Sequence, residues 1–185
     1  MYITQEMIAR LAAGYGTPEE WDFSINVDRK EYDRIKSSQR DGRRHDFTVY
    51  IAKEGRIVVI AKHVYPPGLY RAPSGGVKPG EDPEAGMHRE VWEETGCRVE
   101  IQRFLLKTNV RFVCGEDVID WNSYVFQAAY REGDFEFTDT REIRQVRLAE
   151  LSEFEAFARI MRNSGIGGLQ YRAALHERVA PLLKL

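Results

Sequence analysis

The sequence is short of several things. Among 185 residues there are two cysteines, Cys97 and Cys114, too few for a disulfide framework and without the clustering of a zinc site. Both read as small apolar residues, buried or half-buried, which fits a reducing, cytoplasmic setting. No apolar run approaches transmembrane length. The opening "MYITQEMIARLAAGYG" has neither a basic leader nor a long hydrophobic stretch, so no signal peptide and no membrane association are expected. An excess of charge is also missing: 27 Lys and Arg against 29 Asp and Glu give no global field that would draw nucleic acid or an anionic membrane. His45, His63, His88 and His176 show no metal-ligand spacing. Repeats and low-complexity tracts are absent. What is left is a chain of ordinary globular composition, long enough for one well-buried domain with some decoration.

The chain divides into two parts. Residues 1–43 read as an N-terminal helical extension: "TPEEW" offers Thr17 as N-cap, Pro18 at the first helical position and Glu20 as capping-box partner, and "DRKEYDRIKSSQRDG" follows with Asp28, Glu31 and a stop at Gly42. "RDGRRH" is a short basic cluster that reads as a solvated connector. Residues 44–185 form the main domain. There "DFTVYIA" and "RIVVIAKHVY" flank "KEG" as a β-hairpin, and "PPGLYRAPSGG" is too rich in Pro and Gly for regular structure. Asp82, Pro83 and Gly96 punctuate a helix at both ends. Two longer strands turn around "GED", and "IRQVRLAEL" adds another. A helix capped by Ser152 and Glu155 runs to about Arg162, and "LQYRAALHERVAPLLKL" makes a last amphipathic helix. Strands broken by one well-capped helix, with helices behind, predict a mixed sheet between helical layers.

One helix breaks local rules. Glu90, Glu93 and Glu94 lie on one face of the last turn and a half before Gly96. Like charges at these spacings cost about 0.2–0.5 kcal/mol per pair. The negative end of the helix dipole opposes each carboxylate by a further ~0.3–1 kcal/mol. A hard divalent cation such as Mg²⁺ resolves the conflict by taking carboxylate oxygens as ligands. Arg89, four residues before Glu93, is placed to hold that side chain by an ion pair.

The residues around the triplet carry a resemblance. Gly75, five residues, Glu81, seven residues, Arg89-Glu90-Val91, one residue, Glu93-Glu94, one residue and Gly96 reproduce the Nudix box, with Cys97 in place of the usual final aliphatic residue. The chain thus resembles the Nudix hydrolases from about residue 45 onward. That resemblance implies an α/β/α sandwich with a mixed β-sheet and a divalent-metal-dependent pyrophosphohydrolase using Mg²⁺ or Mn²⁺. The substrate implied is a nucleoside diphosphate linked to another moiety: a nucleotide sugar, an ADP-ribose-like compound or a nucleoside triphosphate. It makes Glu90 and Glu94 metal ligands, Glu93 a ligand directly or through water, and Arg89 their orienting partner. Gly75 and Gly76 would let backbone approach the site, Gly96 would end the helix, and Glu81 would brace the loop.

Hydrolysis of a pyrophosphate also needs a proton acceptor. Glu142, just before a strand, is the first candidate and Glu116 the second. Arg71, Lys62 and Lys78 flank the loop, where they can meet phosphate oxygens. Trp121, Tyr124 and Phe126 read as core residues rather than a platform for a base. Markers that separate the family's substrate classes are missing: there is no Pro between Pro83 and Pro181, and no Tyr around "FVCGE". The partner expected is a nucleotide-derived small molecule. A Nudix domain that senses a nucleotide without cleaving it is the alternative. The N-terminal helices are candidates for a homodimer interface or for a cover over the site.

Overall fold

The computed structural model describes residues 3–39 and 42–185. Arg40 and Asp41 of the basic cluster lie outside the described residues. The elements run α1 (Gln5–Tyr15), β1 (Glu19–Asn26), α2 (Arg29–Ser38), β2 (His45–Lys53), β3 (Arg56–Lys62), β4 (Ser74–Gly75), α3 (Pro83–Thr95), β5 (Cys97–Cys114), β6 (Asp117–Gly133), β7 (Ile143–Ala149), α4 (Phe154–Asn163) and α5 (Gly167–Val179).

The strands form one mixed sheet in the order β1-β5-β6-β2-β3-β7, with the short β4 beside β2. β1 with β5 and β2 with β6 are parallel, and the other pairs are antiparallel. β2 is buried along most of its length, as a central strand covered on both faces should be. One face packs Leu11 of α1 and Met87 and Val91 of α3 against Phe47, Val49, Phe104 and Phe126. The other packs Tyr32 of α2, Phe154 and Phe157 of α4 and Tyr171 and Leu175 of α5 against Tyr50, Val59, Leu106 and Trp121. The architecture is therefore the expected α/β/α sandwich. Phe104 and Phe126 stack with centroids 4.3 Å apart in the first core, and Trp121, Tyr124 and Phe126 are all buried.

The N-terminal segment corrects the sequence reading. Thr17, Pro18 and Glu20 cap no helix, because residues 19–26 form β1, paired with β5 from Glu19↔Leu106 to Asn26↔Val113. Alternation of Trp21, Phe23 and Ile25 outweighs the cap signature: this face turns inward, and the rings of Trp21 and Phe23 meet Tyr171 of α5. The extension is thus helix–strand–helix, with its strand in the main sheet. α2 does start at Asp28, whose carboxylate accepts the Glu31 amide at 2.8 Å, and it ends at Ser38, before Gly42. The β2–β3 hairpin turns on Glu54 and Gly55, both at positive φ.

Two further details differ. Ser152 caps nothing; α4 starts at Phe154 after a 3₁₀ turn in which the Glu153 carboxylate accepts the Glu150 amide at 2.8 Å. The Pro/Gly-rich stretch holds the two-residue β4 and a bridge between Arg71 and Ile60. Among the described residues, no helix is long and apolar enough to cross a membrane.

Candidate active site

The site is built on α3. The Asp82 carboxylate accepts the amides of Glu84 and Ala85, Pro83 fills the first turn, and Gly96 closes the helix in a left-handed conformation at φ 66°. The preceding loop is fastened by one side chain. Arg89 donates to both oxygens of Glu81, at 2.8 and 2.9 Å, and to the Gly76 carbonyl at 3.0 Å. Glu81 also accepts the Lys78 amide at 2.7 Å. Arg89 reaches Glu90 at 2.7 Å and Glu93 at 3.3 Å, so it spans the loop and two of the three glutamates. These bonds hold the Glu81 carboxyl below the usual carboxylate range.

Glu90 rests on Gly75. A β-carbon there would fall within bonding distance of its carboxylate, so the glycine is required by the close approach. Burial pushes the Glu90 carboxyl up, Arg89 opposes the rise, and the charges of Glu94 and Glu93 add to it. Glu94 is 3% exposed and accepts the Ser74 amide at 2.8 Å, with Lys62 Nζ at 3.5 Å and Arg71 at 3.9 Å. Glu93 is the most exposed of the three.

The loop before β7 docks on the end of this helix, where the Thr138 and Asp139 amides donate to the Glu93 carbonyl at 3.0 and 2.9 Å. That contact brings Glu142 to the site. A register shift between Ala61 and Lys62, opposite β7, sets Lys62 at the same place, bonded to Glu142 as well as near Glu94. Lys62 holds the Glu142 carboxyl below its ordinary range.

A cleft of about 640 Å³ opens over this group. One wall is Gly76 to Pro79, including Lys78, with Glu90 and Glu142; the other is Arg34, Ser37 and Ser38 of α2 together with Arg43. Of the site residues expected from sequence, Glu90, Glu142, Gly76 and Lys78 line this cleft, whereas Gly75, Arg89, Glu93 and Glu94 do not. Three positions differ from expectation. Arg71 lies behind Glu94, 4% exposed, donating to the Tyr65 hydroxyl at 2.8 Å, the Ala72 carbonyl at 2.7 Å and Ser74 Oγ at 2.8 Å. The space a Gly76 side chain would need is filled by the Arg43 guanidinium. Glu116 sits at the exposed tip of the β5–β6 hairpin and does not line the cleft.

Sequence reasoning missed Ser74, Arg172 and the α2 wall. Arg172 of α5 donates to Thr48 Oγ1 at 2.7 Å, to Ser74 Oγ at 3.2 Å and to Asp46, and nothing local in "LQYRAALHERV" announces this. Arg43 did carry a signal, as part of the basic cluster read as a connector.

The profile of the NUDIX domain matches residues 42–165, more than half of the chain. The chain belongs to the Nudix family. Among its Nudix relatives, the chain is 40% identical over 55 residues to the NAD-capped RNA hydrolase NudC of Chromobacterium violaceum, a match covering 29% of this chain and 21% of that protein. It is 32% identical over 85 residues to the RNA pyrophosphohydrolase of Pectobacterium atrosepticum, covering 45% and 48%. The chain thus spans from about a fifth to a half of these relatives' own lengths. Among solved structures, a NUDIX hydrolase from Nitrosomonas europaea superposes with TM-score 0.49 at 17% identity, covering 77% of this Nudix chain and 97% of the other.

The family implies a divalent cation. Among the described residues, no three His, Cys, Asp or Glu side chains already converge as a cation site. The donor set nonetheless suits a hard ion: Glu90 and Glu94 carry oxygen ligands, Gly75 leaves Glu90 its place, and the mutual repulsion of the three carboxylates is the charge a cation would offset.

Proposed function

We propose that the protein is a divalent-metal-dependent pyrophosphohydrolase acting on a nucleoside diphosphate joined to another group. The observation that carries this reading is the set of three carboxylates on the end of α3, of which Glu90 lines a cleft edged by Arg and Lys and Glu94 lies buried beside it. Glu90 and Glu94, with Glu93 directly or through water, would hold Mg²⁺ or Mn²⁺, which when bound supplies neutralisation of phosphate oxygens and activation of water.

The chain's own residues do the rest. Arg89 fixes Glu90 and the loop, and Ser74, Lys62 and Arg71 hold the Glu94 carboxylate in place. Glu142, kept ionised by Lys62, is the acceptor for the proton of the attacking water. Lys78 edges the cleft where phosphate oxygens enter. Relatives named as RNA pyrophosphohydrolase and NAD-capped RNA hydrolase support adding phosphorylated RNA ends to the small nucleotides first expected.

Incubation with ADP-ribose, a nucleotide sugar, nucleoside triphosphates and a 5′-triphosphorylated oligoribonucleotide, with Mg²⁺, Mn²⁺ or chelator, tests the reading. Metal-dependent release of a phosphate-containing product is expected, and tight binding without turnover across the panel would leave a nucleotide sensor instead. Glu94→Gln should fold and lose two or more orders of magnitude in kcat, equivalent to about 3 kcal/mol of barrier. Near-normal turnover would remove Glu94 from the metal site.

A further inference from the structure

Part of the cleft wall comes from a helix that precedes the matched Nudix residues. α2 precedes the matched residues 42–165, yet Arg34, Ser37 and Ser38 face Gly76–Pro79 across the opening, and Arg43 stands beside them. The two guanidiniums are anchored. Arg34 is held at 2.8 Å by Glu31, a 7%-exposed carboxylate that also accepts the Gly168 amide of α5 at 3.1 Å. Arg43 lies over the Trp121 ring, 5.7 Å from its centroid, and in the space left by the missing side chain of Gly76. Among the described residues, neither Arg43 nor Lys78 makes an ion pair.

The cleft therefore carries more positive charge than its carboxylates need once a divalent cation sits on Glu90 and Glu94. The chemistry of substrates gives that surplus a use. A pyrophosphate esterified at both ends has one ionised oxygen on each phosphorus. A terminal phosphate, bonded on one side only, has a second, ionising near pH ~6, and three free oxygens that match the fork of a guanidinium.

We propose that Arg34 and Arg43 form a subsite for the terminal phosphate of a 5′-triphosphate, carried by a free nucleotide or by an RNA end. This rests on the pyrophosphohydrolase reading and narrows it: a phosphate chain with a free terminal phosphate is preferred to a pyrophosphate capped on both sides. Specificity is then set jointly by α2, which precedes the matched residues, and by Arg43 at their start.

The test compares kcat/KM for ATP, a 5′-triphosphorylated oligoribonucleotide and ADP-ribose in Mg²⁺, alongside equilibrium binding of Mg²⁺-tripolyphosphate, which needs no turnover. For Arg34→Gln and Arg43→Gln, the loss on triphosphate substrates should exceed the loss on ADP-ribose by about tenfold each, carried in KM. The dissociation constant of tripolyphosphate should rise by the same factor, and Arg43→Lys should recover part of it. Lys36→Gln, which removes the same charge from the same helix outside the cleft, should leave the preference as it is. A larger effect with ATP or with the oligoribonucleotide identifies the natural carrier. Equal losses on all three substrates, or unchanged tripolyphosphate binding, would overturn the subsite. If no nucleotide is cleaved at all, the pyrophosphohydrolase reading fails by itself, and the tripolyphosphate titration still decides the subsite.

Discussion

Ser74 gives its amide hydrogen to Glu94 and takes guanidinium hydrogens from both Arg71 and Arg172 on its hydroxyl. A buried carboxylate needs hydrogen-bond partners, and Ser74 supplies one while both arginines fix Ser74 itself. The same interior also buries histidine. Burial, with the Arg172 and Arg71 charges adding to it, pushes His176 down to about 3; burial likewise takes His45 down to about 4. Both folded values lie below the ordinary 6.5, so the unfolded chain takes up protons first as pH falls. Stability is then complete above pH ~6.5 and declines below it by about 1.4 kcal/mol per pH unit for each histidine, down to their folded values. Urea midpoints between pH 7 and pH 4.5 should show this slope. His176→Phe, a ring of similar shape between Tyr50 and Phe154, should reduce it by about one proton. An unaltered slope would mean that His176 is already charged in the native state.

Among the elements, α3 and its loop depend on Arg89 more than on any cap. Its partners Glu81, Glu90, Glu93 and the Gly76 carbonyl come from both sides of the helix start. Arg89→Lys keeps the charge but cannot reproduce the two-pronged bond to Glu81. It should lower stability by on the order of 1–3 kcal/mol and turnover by more than Lys78→Gln does, measured by thermal midpoint and initial rates. Equal effects would show that the loop is held by its backbone alone. The helix itself was legible because everything that defines it, from Asp82 to Gly96, is local. β1 was not, because Thr17, Pro18 and Glu20 imitate a helix start while the strand that overrules them lies 87 residues away. Glu142 was singled out through the Nudix resemblance, as a carboxylate in a later loop, and it lines the cleft. The tie between Arg172 and Ser74 spans 98 residues and leaves no trace in either local sequence.

At the scale of the molecule, the N-terminal segment wraps the domain. α1 lies over one face, where Arg10 pairs with the helix-capping Asp82; β1 closes the sheet edge; α2 lies on the opposite face. Leu11 is buried, and Trp21 and Phe23 are packed against the core. At about 1.5–3 kcal/mol for each such side chain, their loss would consume much of the 5–15 kcal/mol typical of a domain. A chain beginning at Arg29 should therefore aggregate or elute as mixed oligomers in size-exclusion chromatography, with the long β5 left as an open edge. A soluble monomer with the full-length thermal midpoint would refute this account of the segment.

The wrap also has a consequence during synthesis. The ribosome delivers β1 well before its partners: the pairings of Glu20 with Lys107 and Asp22 with Asn109 wait for 87 further residues, and that of Glu31 with Gly168 for 137. Residues 19–26 thus wait for partners made much later in the chain. Until then Trp21, Phe23 and Ile25 stay uncovered, and a holding chaperone has its hydrophobic target for most of translation.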